Sequence, residues 1–196
     1  MAGVRAVMVA LVSALLVGCH YWSSARLDLG PAMSQAQMQN LGGRSFHRFS
    51  LGDAPYHAIT TQMVGSRLRV RSEIVICGES GCDVQTDDYF FDNVFVPGDR
   101  SFGGLRFPQR WMVGESIQSN YRYFVFRIDD AQLRYLYVSR GPDGQFNGSG
   151  SSVSSPVEII RDLNDQLAGI DPQDRLELWT FNATNSSEVR RNLSRY

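Results

Sequence analysis

The sequence predicts a mainly β protein: an antiparallel meander forming a barrel or sandwich, with one helix near the C-terminus followed by a final strand. Two patterns carry this. Short runs alternate apolar and polar residues with the period of a half-buried strand, clearest in Arg67–Ile76, Tyr121–Ile128 and Leu133–Arg140. A single amphipathic stretch at the helical period then begins at Ser155-Pro156.

The elements follow in chain order. Residues 1–18 read as a signal peptide, with Arg5 as the only charge, an apolar run from Ala6 to Val17 and small Gly18 before Cys19. That run falls short of the roughly 20 apolar residues that span a bilayer. Residues 19–43 read as a tether, with Tyr21 and Trp22 suited to lipid headgroups and a short helix at Pro31–Leu41 stopped by Gly42-Gly43. Residues 44–196 form the single β-rich domain. Ser45–Leu51 and Tyr56–Val64 are its first, weaker strand candidates; Arg67–Ile76 alternates well, setting Leu68, Val70, Ile74 and Ile76 against Arg67, Arg69, Arg71 and Glu73. Tyr89–Val96 and Leu105–Met112 are weaker candidates. In Tyr121–Ile128, Phe124, Phe126 and Ile128 share a face; Asp129-Asp130-Ala131-Gln132 then turns the chain into Leu133–Arg140.

Gly141–Ser154, rich in Gly and Ser, reads as a surface loop or a lid. After it, Ser155 as N-cap, Pro156 at the first helical position and Glu158 completing Ser-x-x-Glu start a helix, Pro156–Ala168. Its stripe is Val157, Ile160, Leu163 and Leu167, and Gly169 stops it. Arg175–Phe181 is the final strand, and Ser186 caps a last helix carrying Val189, Leu193 and Tyr196 on one side.

Composition excludes several functions. There are 19 basic residues against 20 acidic, so no basic face points to nucleic acid. Every basic residue is arginine, which removes Schiff-base, phosphate-loop and Ser-Lys chemistry. Neither a Gly-x-Ser-x-Gly elbow nor a His-Glu-x-x-His motif is present. His47 and His57 are the histidines that an envelope enzyme would use as a base, and structural histidines explain them equally. Asp83, Asp87, Asp88 and Asp92 form an acidic cluster, read as a solvated turn or a calcium site, and no cofactor is implied. Asn147, Asn182, Asn185 and Asn192 head sequons that matter only in a eukaryotic secretory setting.

Leu16-Val17-Gly18-Cys19 resembles the lipobox of bacterial lipoproteins. The resemblance implies cleavage before Cys19, acylation of its thiol and of the new amino end, and retention at the membrane by three chains where two already suffice. His20 in place of aspartate implies the outer membrane, with the domain on the periplasmic side. Cys77 and Cys82 then remain as an even pair around Gly78-Glu79-Ser80-Gly81, expected as a disulfide stapling a hairpin, with free or regulatory thiols as the alternative.

The order of elements, a β-meander, one helix and one strand, is similar to lipocalins over about Leu41 to Phe181. It implies a carrier whose barrel takes a lipid or small apolar ligand, and the dense aromatics between Tyr89 and Tyr137 would line such a cavity or fill a core. The row Arg67, Arg69 and Arg71 is the candidate anion-binding surface. Three functions are thus in play: a non-catalytic structural or interaction lipoprotein with an envelope partner, a carrier of an apolar ligand, and an enzyme.

Overall fold

The computed structural model describes residues 21–50, 54–98, 100–138, 151–170 and 176–196. Eleven strands of the described residues form one mixed sheet, antiparallel except where β1 (Tyr21–Ser23) meets β12 (Ser151–Ser152). Its path runs β12, β1, β10 (Tyr121–Ile128), β11 (Gln132–Val138), β13 (Leu176–Thr184), β2 (Ser45–Phe49), β3 (Tyr56–Val64), β4 (Arg67–Gly78) and β5 (Gly81–Phe91). β6 (Asn93–Phe95) continues β5 beyond Asp92 and pairs with β9 (Met112–Ile117), which pairs with β10. Through Asp92 the chain thus carries β5 on to β6, and so to β9 and β10, which curls the sheet and gives it an inner and an outer face. β7 (Ser101–Phe102) and β8 (Leu105–Arg106) make a separate small hairpin.

Helices cover two parts of the outside. α2 (Pro156–Leu167) starts with the expected capping box: Ser155 accepts from the backbone of the first turn, and Glu158 accepts the Ser155 N–H. It lays Ile159, Ile160 and Leu163 on Tyr123, Val125 and Leu136. Its buried stripe is rotated from the expected one, because Leu167 is exposed and Ile159 and Asp162 are buried. α3 (Ser186–Leu193) brings Val189 and Leu193 against Tyr56, Ala58, Val75 and the Cys77–Cys82 pair. Asn185, not Ser186, caps it, accepting from the Glu188 N–H at 2.9 Å.

Other expectations are corrected. The residues read as a tether are built into the fold from Tyr21 onward: Tyr21 is buried and donates to Asp162 at 3.0 Å, and Leu27 and Leu29 are buried too. The first helix is only α1 (Gln35–Gln39), capped by Ser34 rather than begun at Pro31. The acidic segment read as a turn is β5, whose pairing with β4 from Gly78–Gly81 to Leu68–Phe91 overrides its polar composition. Leu105–Met112 is not one strand. Pro108 and Arg110, which has φ 67°, interrupt it, and the strand of that region is β9. β9 was hidden by Gly114-Glu115-Ser116. Gly114 leaves room for the Phe91 ring, which would lie 2.6 Å from a Cβ there. Glu115 is buried but accepts from Arg26 Nε (3.1 Å) and Nη2 (3.0 Å) and from the Asn93 amide (2.8 Å). Cys19, His20 and most of the Gly/Ser-rich segment lie outside the described residues; its end supplies β12.

Candidate functional site

Alternation along the curled sheet sends one set of side chains inward. Ile59 and Thr61 from β3, Leu68, Val70 and Ser72 from β4, Tyr89 and Phe91 from β5, Phe124, Phe126 and Ile128 from β10, and Leu133 and Tyr135 from β11 surround a cavity of about 70 Å³. Thr61 and Ser72 are the aliphatic hydroxyls of this wall. Thr61 Oγ1 is engaged by the Leu41 carbonyl at 2.5 Å, and Ser72 Oγ shares a hydrogen bond with His57 Nε2 at 2.7 Å. One end of the interior is packed by Met38 of α1 and by Leu41, which join Leu68, Phe91 and Phe126.

Toward the other end the wall becomes polar and aromatic. Antiparallel register sets Arg48 of β2 beside His57 of β3. The Arg48 guanidinium lies 4.3 Å from the centre of the Trp179 ring and 5.7 Å from that of Phe181. Tyr137 stacks on Trp179 (4.7 Å, 13°), so the indole is covered by a phenol and also carries a cation. His57 meets Phe181 and Trp179 edge-on, at 4.8 and 5.8 Å. Trp179 Nε1 donates to Glu177 at 2.6 Å. Among the described residues, neither a carboxylate nor any hydrogen-bond acceptor engages the Arg48 guanidinium.

His57 and Ser72 resemble half of a nucleophile–base pair, but their electrostatics oppose that use. Burial first, and the Arg48 charge second, push the imidazole down to about 3. Its Nδ1 is buried without a hydrogen-bond partner, so no carboxylate orients the ring. A base this weak, without an orienting acid, is poorly suited to activate a hydroxyl near neutral pH. His47 stands on the outer face beside Phe49 and Tyr56, apart from His57.

The arginine row is on the outer face of β4, as the alternation requires, and much of its charge is committed. Arg69 grips Asp88 through Nε (2.8 Å) and Nη2 (2.7 Å), and Arg71 grips the same carboxylate at 3.0 and 3.1 Å. These hydrogen bonds hold the Asp88 carboxyl well below the usual range. Arg67 lies over the Phe90 ring at 4.8 Å. The four aspartates do not converge: Asp88 faces the arginines, Asp92 accepts from the Ile117 N–H at 2.8 Å, and no metal-ligand group forms among the described residues. Asp87 is half-buried opposite Ser72 in the register, and burial raises its carboxyl. Cys77 and Cys82 form the disulfide, facing each other across the β4–β5 hairpin.

Sequence reasoning missed the Arg48–Trp179 cluster. Its signal was present in the alternation of Phe46, Arg48 and of Trp179, Phe181, but which face turns inward depends on pairing between distant strands. No known protein family, curated protein or solved structure matches this chain.

Proposed function

We propose that this chain is a non-catalytic binding lipoprotein of the cell envelope. In this reading Cys19 carries the lipid anchor at the periplasmic side of the outer membrane, and the curled sheet holds a small apolar molecule. The observation that carries the binding reading is the cavity enclosed by the aromatic and aliphatic inner faces of β3, β4, β5, β10 and β11. Burying apolar ligand surface there contributes about 25 cal/mol per Å², enough to hold a molecule without a covalent or metal contact. The weak base at His57 favours binding over catalysis. The anchor rests on the lipobox.

Two experiments test the two halves. Organic extraction and native mass spectrometry of the purified protein are expected to find a co-purifying apolar molecule, with saturable uptake of a fluorescent apolar probe after extraction. Failure of both overturns the binding reading. Metabolic labelling with a fatty acid is expected to mark the protein and to miss Cys19→Ala; equal labelling overturns the anchor. A second reading, docking of an envelope partner, draws on β5, which pairs with β4 along one edge and with no strand along the other among the described residues.

A further inference from the structure

We propose that a cleft between β5 and the β9–β10 hairpin binds a phosphate group through Arg67 and Arg122. The cleft lies outside the interior cavity, so this site stands or falls separately from the apolar binding reading.

The backbone opens the cleft. β6 and β9 pair from Asn93–Glu115 to Phe95–Val113. At Asp92 the pairing changes character: its N–H donates to the Glu115 carbonyl at 2.8 Å, but its carboxylate, in place of a backbone carbonyl, accepts the Ile117 N–H at 2.8 Å. The ladder ends there, and among the described residues β5 pairs with β4 alone. A cleft of about 100 Å³ is left between β5 and the hairpin. At about 10–15 Å³ for one water, it has room for a tetrahedral ion. Phe90 and Tyr89 line it from opposite faces of β5, so it follows the open edge of that strand. Tyr89 and Phe124 also line the interior cavity, and their edge contact at 5.2 Å separates the two spaces.

The side chains that line it set the sign of the ligand. Register places Ser116 of β9 opposite Arg122 of β10, and both face the cleft. Arg67 enters from β4 with its guanidinium 4.8 Å from the centre of the Phe90 ring. Stacking fixes the plane of that guanidinium and leaves its N–H edge for an acceptor. Among the described residues neither the Arg67 nor the Arg122 guanidinium has an ion pair or hydrogen bond, and the Ser116 hydroxyl has no partner. The carboxylates beside them are engaged. Asp88 holds Arg69 and Arg71 through both oxygens, and Asp92 takes the Ile117 N–H. Arg67, Arg69, Arg71 and Arg122 thus outnumber Asp88 and Asp92, and no metal-ligand group forms there among the described residues. The two oxygens of a carboxylate are filled by one guanidinium fork. A phosphate group offers three, enough for forks from two walls together with a hydroxyl. Arg122 is half-buried, so such a contact is screened less than on an open surface.

Inorganic phosphate, glycerol 3-phosphate and acetate are titrated into the purified protein at constant ionic strength, followed by calorimetry and by NMR of the backbone amides. Phosphate or its ester is expected to bind with a Kd of about 1 mM or lower, and about ten-fold or more tightly than acetate. The amides of Ser116, Ile117 and Arg122 are expected to move first. The tighter of the two phosphates distinguishes a free ion from an esterified headgroup. Arg122→Gln and Arg67→Gln are each expected to weaken phosphate about ten-fold, and Arg71→Gln, which does not line the cleft, by less than about two-fold. Absence of saturable phosphate binding by the unsubstituted protein, or acetate binding as tight as phosphate, would overturn the proposal before any variant is made. A loss in Arg71→Gln as large as in Arg122→Gln would also overturn it, by placing the ion on the outer row. Uptake of an apolar probe is measured separately, and none of these outcomes changes it.

Discussion

The β10–β11 pair is covered on both faces, and the two faces are filled differently. Outside, Tyr123, Val125 and Leu136 meet Ile159, Ile160 and Leu163 of α2, all at most 1% exposed. Inside, Phe124, Phe126, Ile128, Leu133 and Tyr135 are as large and as apolar, yet they leave a cavity of about 70 Å³, and the same face carries Arg48, which has no counter-ion among the described residues. A face that the chain closes with its own helix serves stability. A face that the chain leaves short of closure, with a charge beside it, is open to something else.

The difference is sharpest in how each face answers substitution. On the outer side, Leu163→Ala is expected to cost about 3 kcal/mol in a denaturant melt, because a fully buried leucine beneath a fixed helix leaves a void that cannot collapse. A loss below about 1 kcal/mol would show the outer face to be as loose as the inner. At β9, where the inner wall is already tight, Gly114→Ala drives a methyl into the Phe91 ring and is expected to lose about 1–3 kcal/mol. On the inner side, adding volume is expected to be tolerated: Val70→Phe fills existing space and should change stability by no more than about 1 kcal/mol.

Two smaller effects separate the polar ends of the molecule. Removing the disulfide with Cys77→Ser and Cys82→Ser is expected to lose about 2 kcal/mol, since the closed loop is short. His57 makes the inner face sensitive to acid. Its folded value near 3 lies below the ordinary 6.5, so the unfolded chain binds the extra proton first. The stability present above about pH 6.5 is therefore lost as pH falls toward 3, with a limiting slope of about 1.4 kcal/mol per pH unit. His57→Gln is expected to flatten that slope. An unchanged acid limb in the variant would place the loss elsewhere.

The same comparison explains what the sequence discloses. Elements whose signal is local are readable: Tyr56–Val64 and Tyr121–Ile128 as strands, the Ser155–Glu158 capping box, and the two-residue reversal between Gly78 and Gly81. In Leu133–Arg140 alternation sets Tyr135 and Tyr137 opposite Leu136 and Val138, but it does not say that both faces are covered. Arg69 and Arg71 read as free charge because Asp88, seventeen to nineteen residues on, becomes their partner only through the β4–β5 register. β9 was illegible because a buried, fully bonded Glu115 looks like a solvated one in sequence. The inner cluster needed β2, β3 and β13 side by side, which no local pattern encodes.

The central claim is that the inner face is a binding site rather than an imperfect core, and Val70→Phe tests it most directly. A fluorescent apolar probe is titrated into the unsubstituted protein and the variant, with thermal melts recorded on both. The account predicts saturable binding by the former and none by Val70→Phe, whose melting temperature stays within a few degrees. Equal binding by both, with the fold intact, would contradict it and place the probe outside the sheet.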